Sequence, residues 1–217
     1  FGIGGPMGQL KLGRVYPITS SKNPQGFSHV ELAHQFLDAG LRFFQVREKS
    51  IPDSILHQQL LEIRALCSAK KAHFLVNDRA DLALATKADG LHLGQDDLPV
   101  ETARDLLGEE AIIGLSTHNR EQFLQAQSQE INYIAIGPVF ETFTKATENP
   151  SLGVRMIETL VQESRHPVVA IGGISLESAP ALWEAGVQSV AVINDIVAHP
   201  QPSQRLRDYL KLAEKIS

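Results

Sequence analysis

Residues 15–46 read VYPITSSKNPQGFSHVELAHQFLDAGLRFFQV and contain one complete strand–helix–strand unit. The β-branched and apolar run at 15–19 predicts a strand. Ser28-His29-Val30-Glu31 is a capping box, in which the serine and glutamate side chains satisfy free amides at the start of a helix. We expect that helix to end at Gly40 and residues 43–46 to form the next strand. A strand, a helix and a second strand in this order are the repeating unit of an α/β fold.

The same alternation recurs to the end of the chain. We predict strands at 15–19, 43–46, 73–76, 91–93, 111–115, 133–136, 168–171 and 189–193. After the first helix, we predict helices at about 52–69, 81–86, 100–107, 120–129, 154–164, 179–185 and 204–215. Eight such units match a (β/α)8 barrel, whereas a doubly wound open sheet usually has five or six strands. The sequence therefore predicts an α/β protein with a single TIM-barrel domain over residues 9–217. Residues 1–8 are expected to be a flexible N-terminal segment or a remnant of cloning.

Composition excludes several classes of protein. With 43% hydrophobic and 21% charged residues in 217, the chain is neither disordered nor of low complexity. A net charge of -5 without a Lys/Arg-rich run makes nucleic acid and anionic membranes poor partners. No apolar stretch approaches the ~18 residues of a membrane span. The single cysteine, Cys67, excludes an internal disulfide and suits a reducing compartment. We therefore expect a cytoplasmic protein that acts on small molecules.

Polar, charged and glycine residues follow nearly every predicted strand, where the active site of a TIM barrel lies. Arg47, Lys49 and Lys145 offer cations for phosphate oxygens. Asp78 and Asp97 follow neighbouring strands and, with water and phosphate oxygens, suit Mg2+. Each residue has a simpler explanation on its own, since either aspartate could cap the next helix and the cations could be surface charges. Their convergence predicts a site in which a metal and cations hold a diphosphate.

The later strand ends add a second anion site. Gly172 and Gly173 follow the seventh strand, and barrels often bind phosphate between the loops after the last two strands. A glycine turn needed only for close packing is the alternative. Ser116 is interpreted as a hydrogen-bond donor to phosphate, and His118 as an acid–base group or a plain loop residue. His92 alternates with two leucines, so we expect it to line the barrel.

Six motifs at these strand ends together resemble the thiamin-phosphate synthase family, also called thiamin-phosphate pyrophosphorylase. They are QVREK (45–49), NDRADLA (77–83), DGLHLGQDD (89–97), GLSTH (114–118), YIAIGPVF with TFTK (133–140 and 142–145), and IGGI (171–174). The resemblance extends from about residue 15 to residue 196, and the six motifs in this order and spacing are highly specific. It implies an enzyme that joins hydroxymethylpyrimidine diphosphate to hydroxyethylthiazole phosphate, giving thiamin phosphate and diphosphate.

The resemblance also implies roles for individual residues. Asp78 and Asp97 become the Mg2+ ligands. The diphosphate contacts are Arg47, Lys49, Asn77, Ser116 and Lys145, and all but Asn77 are implied catalytic residues. Gln45 lies with Arg47 at the pyrimidine. The thiazole phosphate contacts are Thr142, Thr144, Gly173, Ile193 and Asn194. The implied reaction is dissociative: diphosphate leaves, a pyrimidine methylene cation forms, and the thiazole nitrogen captures it. Mg2+ and cations stabilise the charge on the leaving group.

The chain departs from the family pattern after the eighth strand. Asn194 stands where the family usually has serine, and Asp195, where it has a small residue, adds negative charge near the expected anion site. A rival is the thiazole tautomerase branch of the superfamily, in which a histidine at the position of His118 shuttles protons. A tautomerase needs neither the carboxylate pair nor the cationic clamp, so the synthase is favoured. A non-catalytic regulator that binds the precursors is the third hypothesis. The sequence leaves the oligomeric state open, a homo-oligomer included.

Overall fold

Eight parallel strands close into a barrel in the computed structural model, which describes residues 12–141 and 150–216. The strands are β1 (Val15–Thr19), β2 (Phe43–Val46), β3 (His73–Asn77), β4 (Gly90–Leu93), β5 (Ile112–Thr117), β6 (Tyr133–Ile136), β7 (Val168–Ile171) and β8 (Ser189–Val192). The helices are α1 (His29–Asp38), α2 (Asp53–Lys70), α3 (Ala80–Ala85), α4 (Val100–Leu107), α5 (Arg120–Ala126), α6 (Gly153–Glu163), α7 (Ala179–Glu184), α8 (Asn194–Val197) and α9 (Pro202–Glu214). Each strand pairs with the next, and β8 returns to β1. The predicted TIM barrel is confirmed.

Strand alternation divides the buried side chains into two sets, because successive residues of a strand point to opposite faces. The outward set packs against the helices and forms the larger core. The inward set is smaller and rich in aromatic rings, with Tyr16, Phe43 and Tyr133 in contact with Leu75 and Val169. These side chains fill much of the barrel interior, and a cavity opens near the strand ends.

Local sequence signals behave as expected at α1. The Ser28 hydroxyl accepts a hydrogen bond from the Glu31 amide at 3.2 Å, and the Glu31 carboxylate accepts one from the Ser28 amide at 2.8 Å. Strands β3, β4, β5 and β8 and several helices begin or end one to three residues from the prediction, and two differences bear on the site. Strand β5 runs to Thr117, so Ser116 lies inside the strand rather than after it. Helix α8 was not predicted, because four residues are too few to show a helical period.

The proposed N-terminal segment, residues 1–8, lies outside the described part of the chain. Within that part, no helix combines the length and the apolar character needed to cross a membrane. Cys67 is buried in α2 as a free thiol.

Candidate active site

A cavity of about 380 Å³ opens at the carboxyl ends of the strands. Its volume falls within the ~300–1,000 Å³ that is usual for small-molecule sites. The predicted site residues that line it are Gln45, Arg47, Lys49, Asn77, Asp78, Asp97, Ser116, His118, Gly173, Ile193 and Asn194. Thr142, Thr144 and Lys145, the other three predicted site residues, lie outside the described residues. The floor between these polar groups is apolar and includes Ile18, Ala135, Val169 and Ala191.

The loop after β2 presents Arg47 and Lys49 because the residue between them is anchored. The Glu48 side chain is only 2% exposed and contacts the Nε2 atom of buried His29 at 2.9 Å. Its other oxygen accepts hydrogen bonds from the backbone amides of Lys49 and Ser50, both at 2.6 Å. Burial opposes ionisation, but the hydrogen bonds outweigh it and lower the pKa of Glu48 to about 2. Glu48 is therefore a buried, hydrogen-bonded anion rather than a solvated charge.

The two predicted metal ligands lie together, next to one of the cations. Lys49 Nζ forms an ion pair with Asp78. Asp78 has a φ of 60°, a left-handed conformation that aspartate adopts more readily than most residues. Asp97 accepts a hydrogen bond from the Gly94 amide at 2.7 Å. Burial, and then the neighbouring Asp78 carboxylate, raise the pKa of Asp97.

This geometry excludes one of the two interpretations of the aspartates. Helices α3 and α4 both begin without a side-chain cap, so the helix-cap interpretation of Asp78 and Asp97 is wrong. Two adjoining carboxylates are hard oxygen donors that suit Mg2+ rather than zinc, which prefers histidine and cysteine. Among the described residues, no group of three or more His, Cys, Asp or Glu side chains is placed to hold a metal. A cation here would complete its coordination with water and ligand oxygens.

The Gly172-Gly173 turn forms the opposite wall of the cavity. Gly173 has a φ of 66°, and a Cβ atom there would lie 2.4 Å from the Glu141 carbonyl oxygen. The turn therefore needs glycine for close packing against the segment after β6. Both glycines also line the cavity, and a residue without a side chain lets a ligand approach the backbone there.

Asp195, which the sequence places near this anion site, is held by a network in the structure. Its carboxylate accepts hydrogen bonds from Arg205 at 2.9 and 3.0 Å and from the Tyr209 hydroxyl at 2.6 Å. The Leu176 amide donates to it at 3.2 Å. The Arg205 guanidinium offsets the negative charge that the sequence led us to expect. The network also joins the start of α8 to α9 and to the loop after β7.

A chain of hydrogen bonds crosses the barrel interior beneath the cavity. Gln45 Nε2 donates to the Tyr16 hydroxyl at 2.9 Å, and the Tyr16 and Tyr133 hydroxyls are 2.9 Å apart. Tyr133 is 2.8 Å from His92 Nδ1, and His92 Nε2 is 2.8 Å from Ser116 Oγ. Burial raises the pKa of both phenols well above the ordinary value, so both keep their protons. His92 lines the barrel as predicted.

The sequence contained a signal for this hydrogen-bond chain that our predictions did not use. Period-two alternation places each of its five members on the inward face of a strand, although alternation alone does not show which ones meet. His118 lies on the cavity wall, where its Nδ1 donates to the Gly137 carbonyl oxygen at 2.8 Å.

Comparison with known proteins agrees with this geometry. The family model described as thiamine monophosphate synthase matches residues 15–196. The thiamine-phosphate synthase of Methanospirillum hungatei is 38% identical over 198 residues, which cover 91% of this chain and 96% of that protein. That of Caldicellulosiruptor bescii is 36% identical over 208 residues, covering 94% and 95%. The solved thiamine phosphate pyrophosphorylase from Pyrococcus furiosus superposes with a TM-score of 0.84 at 28% identity, over 94% of this chain and 96% of that one. The chain therefore belongs to the thiamine monophosphate synthase family of transferase enzymes.

Proposed function

We propose that this chain condenses hydroxymethylpyrimidine diphosphate with hydroxyethylthiazole phosphate to give thiamin phosphate and diphosphate. The observation that carries the proposal is the Asp78–Asp97 pair beside Lys49, at the edge of a cavity with an apolar floor. Carboxylates and cations together suit a metal-bound diphosphate, whereas the apolar floor suits flat heterocyclic rings. The single cysteine, buried and free, supports a cytoplasmic enzyme.

The two phosphorylated substrates bind on different sides of the cavity, with the diphosphate on the side that carries the cations. We assign the diphosphate to Arg47, Lys49, Asn77 and Ser116, which lie on the β2 to β5 side, with Lys145 as a further cation. Gln45 reaches the pyrimidine ring from the barrel interior. We assign the thiazole phosphate to Gly173, Ile193 and Asn194 on the β7 and β8 side, with Thr142 and Thr144 as further contacts. The two rings then meet over the floor.

Asp78 and Asp97 are the residues that would hold Mg2+. The neighbouring Asp78 carboxylate raises the pKa of Asp97 in addition to burial, which means that negative charge accumulates there and favours a cation. When bound, Mg2+ supplies Lewis-acid stabilisation of the charge on the departing diphosphate. Lys49, paired with Asp78, provides a fixed positive charge at the same place.

The reaction that these residues support is dissociative. Arg47 and Lys49 stabilise the leaving diphosphate, because their charges are held in place before the bond breaks. The apolar floor keeps water from the pyrimidine methylene cation until the thiazole nitrogen captures it. The glycine turn after β7 fixes the thiazole phosphate and so directs the nitrogen at the cation. No side chain needs to act as a general base.

The test is an assay with both phosphorylated precursors, with and without Mg2+, in which thiamin phosphate is detected as its fluorescent oxidation product. We expect metal-dependent product and a loss of about 100-fold or more in Asp78→Ala, because a metal site contributes several kcal/mol to the transition state. Asp105→Ala, an exposed aspartate on α4, is the matched control and keeps full activity.

Two results would contradict the proposal in different ways. Interconversion of thiazole carboxylate isomers that is lost in His118→Ala, without synthesis of thiamin phosphate, would identify a tautomerase. Binding of both precursors without turnover of either would identify a regulator.

A further inference from the structure

The interior hydrogen-bond chain has a direction that follows from its donors and acceptors. Gln45 Nε2 can only donate to Tyr16. Because a hydroxyl has one proton, Tyr16 then donates to Tyr133, and Tyr133 donates to His92 Nδ1. The His92 ring therefore carries its proton on Nε2, which donates to the Ser116 oxygen. The Ser116 proton is left to point at a ligand in the cavity.

We propose that Tyr133 is a positioning residue whose hydroxyl fixes this direction, so that Ser116 donates to the diphosphate. The inference rests on the function proposed above. The reverse direction would make Ser116 donate to His92 and turn its lone pairs towards the diphosphate, which is repulsive. Tyr133 transmits the direction from the Gln45 end of the chain to His92, because its hydroxyl is the one bonded to the imidazole.

The direction of the hydrogen-bond chain couples the contact at the ring of the substrate, at Gln45, to the contact at its diphosphate, at Ser116. With Nε2 of Gln45 used by Tyr16, its Oε1 atom is the acceptor that an amino group on the ligand ring can reach. An amino group at Gln45 thus favours the Gln45 amide orientation in which Ser116 donates a hydrogen bond to the anion. The chain selects a substrate that has an amino-substituted heterocycle at one end and a diphosphate at the other. A ring that offers only acceptors to Gln45 favours the reverse orientation and weakens the Ser116 contact.

The barrel is built to admit Tyr133 at this position. A Cβ atom on Gly114, the neighbouring residue on β5, would lie 2.0 Å from the Tyr133 ring. The ring is fully buried and stacks on the His92 ring, with centroids 5.6 Å apart and an interplanar angle of 21°. Its edge faces Tyr16 at 84°. The ring is fixed by packing, so its hydroxyl stays between Tyr16 and His92.

The test is 15N NMR of the 217-residue chain carrying labelled histidine, with the His92 signals assigned from a His92→Asn variant. We expect wild-type His92 to carry its proton on Nε2, with Nδ1 unprotonated. In Tyr133→Phe, Nδ1 loses its donor, so the two tautomers mix and both nitrogen shifts move towards each other. We expect kcat to fall about tenfold, the size of one hydrogen bond to a charged group, with the KM for the thiazole phosphate within about twofold of wild type.

Thr117→Val is the matched control. Thr117, on β5, also carries a buried hydroxyl, but that hydroxyl is not part of the interior hydrogen-bond chain and donates to the Ala135 carbonyl oxygen at 3.0 Å. The variant should keep both the wild-type tautomer and the wild-type kcat. A wild-type proton on Nδ1, or an unchanged tautomer in Tyr133→Phe, would overturn the proposal. If Tyr133→Phe does not fold, a wild-type proton on Nδ1 still overturns the proposal. Failure of the proposed function would show separately, as a wild-type protein that makes no thiamin phosphate.

Discussion

Replacing Glu48 with glutamine tests how the loop that carries Arg47 and Lys49 is held. Glutamine keeps the shape of the side chain but removes the charge that accepts hydrogen bonds from the Lys49 and Ser50 amides. The folded chain lowers the pKa of Glu48 from 4.5 to about 2. At ~1.4 kcal/mol per pKa unit, this corresponds to about 3 kcal/mol of stability at neutral pH. We therefore expect Glu48→Gln to be about 3 kcal/mol less stable than wild type at pH 7.

The sign of the effect sets its pH dependence. The pKa of Glu48 is lower in the folded chain than in the unfolded one. The stabilisation is therefore complete above pH 4.5 and is lost as the pH falls towards 2. By pH 3.5 the wild type should have lost about 1.4 kcal/mol of it, which narrows the deficit of Glu48→Gln to about 2 kcal/mol. This narrowing is the effect of Glu48 alone. Burial lowers the pKa of His29 in the same cluster and Glu48 raises it, so Glu48→Gln lowers it further, and acid destabilises the variant more than the wild type through His29.

Urea unfolding, followed by circular dichroism at pH 7, 5, 4 and 3.5, measures this difference. Glu158→Gln on α6 is the matched control, because that carboxylate is exposed and its loss should change stability by less than ~0.5 kcal/mol. A Glu48→Gln protein as stable as wild type at pH 7 would refute the reasoning. With the anchor weakened, we also expect a higher KM for the pyrimidine diphosphate.

Three further substitutions test other parts of the structure. Gly114→Ala places a methyl group against the Tyr133 ring and should cost about 1–3 kcal/mol by overpacking, seen as a lower melting temperature together with a lower kcat. Asp195→Asn removes the closer of two carboxylates that pair with the half-buried Arg205 and leaves it only the exposed Glu177 at 3.5 Å among the described residues, so stability should fall by about 1–3 kcal/mol in urea and the KM for the thiazole phosphate should rise. Ser28→Ala removes the capping box of α1 at a residue whose side chain does not line the cavity, and should lower stability by about 1 kcal/mol while leaving kcat unchanged.

The barrel itself was predictable because its signals are local. Each strand is a short apolar run and each long helix shows a 3.6-residue period, so eight units could be counted before any contact was known. The bounds of β1, β2, β6 and β7 agree with the prediction. The shift at β5 arises because Ser116 and Thr117 are polar by composition, yet they pair with Ala135 and Ile136 of the neighbouring strand.

The set of cavity residues was predictable for a related reason. A closed parallel barrel brings all strand ends to one mouth, so residues far apart in the chain had to meet there. The state of each residue was not predictable. Asp97 could have capped α4, and Glu48 could have faced solvent, because one amino-acid type serves either purpose. Only the packed neighbours show that Asp97 lies beside Asp78 and that Glu48 is buried against His29.

The sequence by itself determined the fold, the family and the chemical types of residue gathered at the mouth, because these depend on periodicity and on motifs that are contiguous in the chain. The tertiary structure alone decided which partners those residues have. Hydrogen-bond direction along Gln45, Tyr16, Tyr133, His92 and Ser116 depends on distances of about 3 Å between five different strands. The same holds for the Arg205 side chain that offsets the charge of Asp195. Such contacts are set by how the barrel closes, and no local pattern in the sequence records them.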